Sequence, residues 1–286
     1  MIKLNKVKKL LGTFQLRDIT LDIPEGYIIG LIGANGCGKT SLLHILMGLY
    51  QPNEGDVELM GLNYREHEDE LHDMLGVVLQ ERLYEDHMTL QENASYFGRF
   101  YSKYDEQYFL KLLENYELDP KKKYKHLSKG EELKFQFAFA LAHRPKLLLL
   151  DEPTGNFDPD FRDEFLSKLK EFIADGEHTV ILATHLTDDL DRIADYIIYM
   201  EKGSILLATD IEDIRTRYRI VAGEDYRMNL LPEQRIIHME KGDFSTKALV
   251  LHRKIDEYDA SYIVSAPTIE EFMYHVTKRK KGVEIC

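Results

Sequence analysis

Apolar positions along this chain fall into short blocks whose spacing switches between strand and helix. Residues 27–32 form a continuous apolar run after the turn Pro24-Glu25-Gly26, the pattern of a buried strand. Residues 41–47 then read as a helix stopped at Gly48. Further strand-like runs stand at 75–79, 147–150 and 179–183, and residues 1–60 as a whole predict short strands and tight turns around one loop-helix unit. Between Gln80 and Leu127 the chain turns helical and aromatic. Leu90, Ala94, Phe97 and Tyr101 keep helical spacing, amid the rings of Tyr96, Phe100, Tyr104, Tyr108, Phe109 and Tyr116. Most of these rings are expected to fill a helical subdomain, and their surplus predicts an exposed patch of the kind that binds a partner. Beyond Leu207 an appended piece offers strands at 218–221, 248–251 and 262–265, then a helix capped by Thr268 with acidic Glu270 and Glu271 in its first turn.

Chemistry enters at Gly33-Ala34-Asn35-Gly36-Cys37-Gly38-Lys39-Thr40, a complete phosphate-binding loop set between the first buried strand and its helix. The glycines let consecutive backbone N–H groups turn toward phosphate, Lys39 reaches the β and γ oxygens, and the Thr40 hydroxyl suits Mg²⁺. Gly33, Asn35, Gly36, Cys37, Gly38, Lys39, Thr40 and Ser41 are the candidate phosphate contacts, facing the anion from a helix N-terminus. The implied ligand is a nucleoside triphosphate. A second site follows the run 147–150, where Asp151 and Glu152 emerge at the ligand edge of a parallel sheet. Asp151 is placed to hold Mg²⁺ through water, and Glu152 to orient or deprotonate an attacking water.

Bulk properties narrow the class. The 286 residues, 44% hydrophobic and 30% charged, allow one large domain with an appendage and a sizeable core. A net charge of −13 argues against a general nucleic-acid binder. No apolar run reaches a membrane-spanning length and the Lys-rich start lacks a signal-peptide pattern, so a cytoplasmic protein is expected. Cys37 and Cys286 form no disulfide framework and no metal spacing. The basic runs at 121–125 and 278–281 read as solvated faces, with contact to an anionic membrane surface the rival for the second. The carboxylate-rich stretch 66–73 reads as a solvated helix start, and Cys37 as a small residue that the loop requires.

The segment Leu127-Ser128-Lys129-Gly130-Glu131 lies one helix before the Asp151 site. With it, the chain resembles the ATP-binding subunit of an ATP-binding-cassette (ABC) transporter. The usual signature is Leu-Ser-Gly-Gly-Gln, so Leu127, Ser128 and Gly130 match while Lys129 and Glu131 depart. The resemblance implies that Ser128 and Gly130, with Glu131 beside them, face the γ-phosphate of a second cassette. It also places Gln80 as the Q-loop ligand to Mg²⁺, His185 as the γ-phosphate switch and Asp158 in the D-loop, where Phe157 replaces the usual Leu. The expected aromatic adenine contact is missing: Leu10 and Leu11 stand there, and Phe14 is the nearby ring assigned to the base.

By this resemblance the fold is α/β, a P-loop ABC ATPase core of mixed sheet and flanking helices over residues 1–207, with a helical subdomain at about 81–140. A small α+β C-terminal extension covers 208–286. Its Ala266-Pro267-Thr268 segment resembles exporters of the antibiotic- and drug-resistance type. The implied cofactors are ATP and Mg²⁺, with Thr40, Gln80 and Asp151 around the metal. The implied partners are an integral membrane permease subunit and a second cassette, either a copy or a sister chain, at the inner face of the membrane. Two other readings share the motifs. One is a non-transport ABC ATPase, whose usual coiled-coil insertion, second cassette or basic surface is not visible. The other is a nucleotide-gated regulator with little turnover.

Overall fold

The computed structural model describes residues 1–242, 245–252, 258 and 261–279. Cys286 and the Lys280-Lys281 part of the terminal basic run lie outside the described residues. Two compact units form, one from Met1–Leu186 with Ile198–Ala208 and the other from Thr187–Ile197 with Thr209–Cys286.

The first unit opens with β1 (Ile2–Leu11), β2 (Phe14–Ile23), β3 (Ile28–Ile32), α1 (Lys39–Leu46), β4 (Glu54–Leu59), α2 (Tyr64–Asp73) and β5 (Leu75–Val78). It continues through α3 (Leu90–Gly98), α4 (Glu106–Asn115), α5 (Lys129–Ala142), β6 (Leu147–Asp151), α6 (Pro159–Phe172) and β7 (Thr179–Ala183). After α7 (Thr187–Ile193) come β8 (Tyr196–Glu201) and β9 (Ser204–Asp210). β1 and β2 run ten residues each, longer than the short strands expected there, because they pair with each other along their whole length in an antiparallel sheet of order β2-β1-β4. The other sheet has the order β5-β6-β7-β3-β8-β9.

Every residue of β3, β6 and β7 is buried, which is why each reads as an unbroken apolar run. Their parallel register aligns Leu31 with Ala183, Ala183 with Asp151, and Leu150 with Val78. The phosphate loop, Asp151-Glu152, Thr184-His185 and Gln80 therefore leave the carboxyl ends of adjacent strands side by side, where ligands of open α/β sheets bind.

α5 is buried on most of its circumference, with Phe135, Phe137 and Phe139 inside. Rings from α4 and from the loops before and after α3 pack against it: Tyr84 meets Phe135 at 4.8 Å, Phe109 meets Phe135 at 5.8 Å and Tyr101 meets Phe139 at 5.7 Å. The aromatic surplus is thus mostly absorbed by ring-on-ring packing. The exposed patch expected from it reduces to Tyr96 and Phe100, 41% and 74% exposed.

The second unit contains α7, α8 (Ile211–Arg217), β10 (Tyr218–Gly223), α9 (Asp225–Met228), β11 (Ile236–Lys241), β12 (Thr246–Leu251), β13 (Ile263–Ser265) and α10 (Ile269–Thr277). Its antiparallel sheet has the order β11-β12-β10-β13. Thr268 caps α10 in a reciprocal box with Glu271. A boundary read at Leu207 leaves α7 in the first unit, but its Asp191 carboxylate accepts the Ile269 N–H at 3.1 Å, tying it to α10.

Candidate functional site

The phosphate loop is built by local constraints. Gly38 caps α1 at φ 116°, and a Cβ there would lie 2.7 Å from Leu16 and 3.0 Å from Phe14. Only glycine fits both the left-handed backbone and the close approach. Behind it, Cys37 is buried, and burial raises its thiol pKa above the ordinary value. That favours the inert thiol over a redox-sensitive one. Lys39 is also buried; its Nζ donates to the Gly33 carbonyl at 2.8 Å and lies 3.8 Å from Glu152 Oε1.

A cleft of about 680 Å³ opens over this loop. It is lined by Asn35, Gly36, Gly38, Lys39, Thr40 and Ser41 from the loop and α1, by Gln80, by Asp151 and Glu152, and by Leu11 and Phe14. The Thr40 hydroxyl donates to Asp151 Oδ2 at 2.7 Å. Burial pushes the Asp151 carboxyl above its ordinary value, and the neighbouring Glu152 charge adds to this while the Thr40 hydrogen bond opposes it. A carboxylate under that strain gains most from a divalent cation. The donor set fits Mg²⁺: among the described residues no three His, Cys, Asp or Glu side chains gather into a protein cage, whereas one hydroxyl and one carboxylate beside a phosphate cradle suit an ion that keeps phosphate and water ligands.

Glu152 is the hub. It sits in the left-handed region at φ 49°, a conformation costing a non-glycine residue roughly 1–2 kcal/mol, and its N–H donates to Ala183 O at 2.8 Å. Its carbonyl accepts Gln80 Nε2 at 2.5 Å, and its carboxylate lies 2.7 Å from His185 Nδ1 and accepts His185 N at 3.3 Å. Because an ionised carboxylate only accepts, Nδ1 carries the proton in this contact, and the ring is otherwise largely exposed. A second cleft, of about 630 Å³, runs from Asn35, Gln80 and Glu152 to Gly155, Phe157 and His185.

The remaining predicted residues line neither cleft. Ser128 caps α5: its Oγ accepts Glu131 N at 3.2 Å, and Glu131 Oε2 accepts Ser128 N at 2.8 Å. Glu131 also pairs with Lys122 at 2.8 Å. Burial pushes the Glu131 carboxyl up, but the bonds from Lys122 and Ser128 outweigh it and hold the group below its ordinary value. A Cβ on Gly130 would stand 2.7 Å from Asn156 O, so α5 and the turn after Glu152 abut backbone to backbone. Asp158 caps α6 by accepting Phe161 N at 2.9 Å, which, with Lys134 nearby, lowers its pKa. His44 was not anticipated from the sequence; it lines the cleft one turn beyond Thr40 on α1, and that i, i+4 spacing was the signal available. Leu11 lines the cleft as well, whereas Leu10 is 60% exposed.

With this geometry in hand, likeness to known proteins carries weight. The family model for ABC transporters matches residues 16–155. The chain is 29% identical to the ABC transporter ATP-binding protein YtrB of Bacillus subtilis (strain 168), over 92% of this chain and 90% of that protein. It is 29% identical to the bacitracin transport ATP-binding protein BcrA of Enterococcus faecalis, over 75% of this chain and 70% of that one. To the methionine import ATP-binding protein MetN of Clostridioides difficile (strain 630) it is 34% identical, over 76% of this chain and 71% of that one. Among solved structures, the ATP-binding cassette MJ0796, a dimer in a post-hydrolysis state bound to ADP and Pi, superposes with a TM-score of 0.66. Identity there is 27%, over 74% of this chain and 99% of that one.

Proposed function

The chain belongs to the ABC transporter family as an ATP-binding subunit, and from that premise we propose that it hydrolyses ATP with Mg²⁺ to drive export through an integral membrane permease. One observation carries the reading: Lys39, Thr40, Gln80, Asp151 and Glu152 line a single cleft, with Glu152 bonded to both Gln80 and His185.

Lys39 and the N–H groups at the head of α1 bind the β and γ phosphates, with Phe14 and Leu11 against the base. Mg²⁺, when bound beside Thr40, Asp151 and Gln80, supplies neutralisation of phosphate charge. Glu152 takes the proton of the attacking water, and His185 holds the Glu152 carboxylate through Nδ1–H, beside the place a γ-phosphate would take. Ser128 and Gly130 lie outside both clefts, at the N-terminus of a long helix. This supports their serving the site of a second cassette, a copy or a sister chain, with Asp158 near the junction. Export rests on the likeness of the Pro267-Thr268 extension to exporters, and membrane docking on the exposed Tyr96 and Phe100. Among the described residues no helix is long and apolar enough to cross a membrane, which supports a peripheral subunit at the inner face that works with a separate permease.

Phosphate release by the purified protein, dependent on Mg²⁺ and abolished by chelation, tests the chemistry. A cross-linker on Phe100→Cys in membranes of the native host tests the partner. The expected product contains an integral membrane protein; products limited to soluble proteins would count against transport.

A further inference from the structure

Residues 79–82 have neither helix nor strand to satisfy their backbone, yet they carry Gln80 to Glu152. One face of α5 supplies partners to each of them. Gln136, fully buried, accepts Leu79 N at 2.8 Å through Oε1 and donates to Glu81 O at 3.1 Å through Nε2. Lys129 Nζ donates to the Gln80 carbonyl. Glu132, 3% exposed, pairs with the Arg82 guanidinium and lies 3.3 Å from Lys129 Nζ. Positions 129, 132 and 136 follow i, i+3, i+7 spacing, which puts them on a single helical face.

We propose that Lys129 and Gln136 are positioning residues that clasp the Gln80 segment to the helix bearing Ser128 and Gly130, so that Gln80 and the signature end of α5 move as one body within the subunit. Lys129 carries the specificity of this arrangement. The usual family residue at that place is glycine, which has no side chain to reach the Gln80 carbonyl. A lysine engaged only in helix-surface pairing would need Glu132 alone, and here its ammonium also meets a backbone carbonyl on another segment. The inference rests on the reading of Gln80 as part of the nucleotide site.

Two measurements test it. In the nucleotide-free protein, amide hydrogen exchange across residues 79–86 is expected to speed up about tenfold or more in Lys129→Met and in Gln136→Leu, and to return toward wild type in Lys129→Arg. In ATP turnover, Lys129→Met is expected to lower kcat/KM about tenfold alone and less than twofold in a Gln80→Ala background, because both changes act through the same residue. Unchanged exchange in Lys129→Met, or full multiplicative loss in the double variant, overturns the clasp. A wild type that exchanges as expected but turns over no ATP would sink the hydrolytic reading, and the exchange result would still decide the clasp.

Discussion

Replacing Glu152 by Gln should separate ATP binding from turnover, and it should tighten binding. Lys39 Nζ lies 3.8 Å from Glu152 Oε1, with side chains 7% and 22% exposed. At an effective dielectric of about 20, such a pair attracts by roughly 4 kcal/mol. Desolvation of both ions and the partial exposure of Glu152 offset most of that, leaving about 1 kcal/mol net. Phosphate must compete with this pair for the ammonium, so Glu152→Gln removes the competitor and a repelling charge together. An ATP Kd about fivefold tighter is expected. The Gln carbonyl can still accept from His185, so the local geometry survives while the base is lost. Turnover should fall by about 10²–10⁴, the usual worth of a positioned base. Lys39→Ala should behave oppositely, weakening ATP by roughly 10- to 100-fold through loss of charged hydrogen bonds. Fluorescent-nucleotide titration and steady-state phosphate release measure both variants. A Glu152→Gln protein that binds ATP as weakly as Lys39→Ala would falsify the assigned roles.

Three further outcomes follow from the geometry. Gly130→Ala gains up to about 1 kcal/mol of helix propensity but drives a Cβ to 2.7 Å from Asn156 O, an overpacking that costs about 1–3 kcal/mol, so thermal unfolding without nucleotide should show a lower Tm. An equal or higher Tm would refute the backbone contact. Glu131→Gln restores the family residue and keeps the capping box while losing the Lys122 pair, worth at most about 1 kcal/mol on this partly exposed site. Because the folded Glu131 pKa lies below its ordinary 4.5, its contribution is present above that pH and is lost as pH falls through the folded value; the variant's Tm should show a shallower acid decline, and an identical decline would refute the assignment. Finally, Glu152→Gln with ATP and Mg²⁺ should elute as a dimer in sizing chromatography, with itself or with a sister cassette, and as a monomer with ADP. Persistent monomer with ATP bound would remove the shared-site mechanism.

The site was largely legible because its residues sit in local patterns. The phosphate loop needs only its own glycines and the adjoining strand and helix, and Asp151-Glu152 ends a run buried on both faces. What escaped depends on distant partners. Nothing near Asp191 announces that its carboxylate meets Ile269 N, 78 positions away, so the tie of α7 to α10 is not readable from the sequence. Ring counts between Tyr96 and Tyr116 register apolar surface but not the rings of α5 that cover it. The alternation Phe135-Gln136-Phe137-Ala138-Phe139 even imitates a strand. Helix wins there because the Ser128 capping box starts it and burial on nearly all sides rewards every ring.

The signature departures acquire a physical sense from the same helix. Lys129 and Glu131 differ from the family residues, and both are engaged inside their own subunit: Lys129 with the Gln80 carbonyl and Glu132, Glu131 with Lys122 and the Ser128 N–H. The Glu131 carboxylate is therefore not left to oppose an approaching phosphate alone. The positions that match the family keep the groups an anion needs, since the Ser128 hydroxyl accepts from Glu131 N and retains its own proton to donate, and Gly130 keeps the small profile that packing against Asn156 demands. The charged departures stand where their side chains turn inward onto the chain itself, and glycine stands where backbone meets backbone.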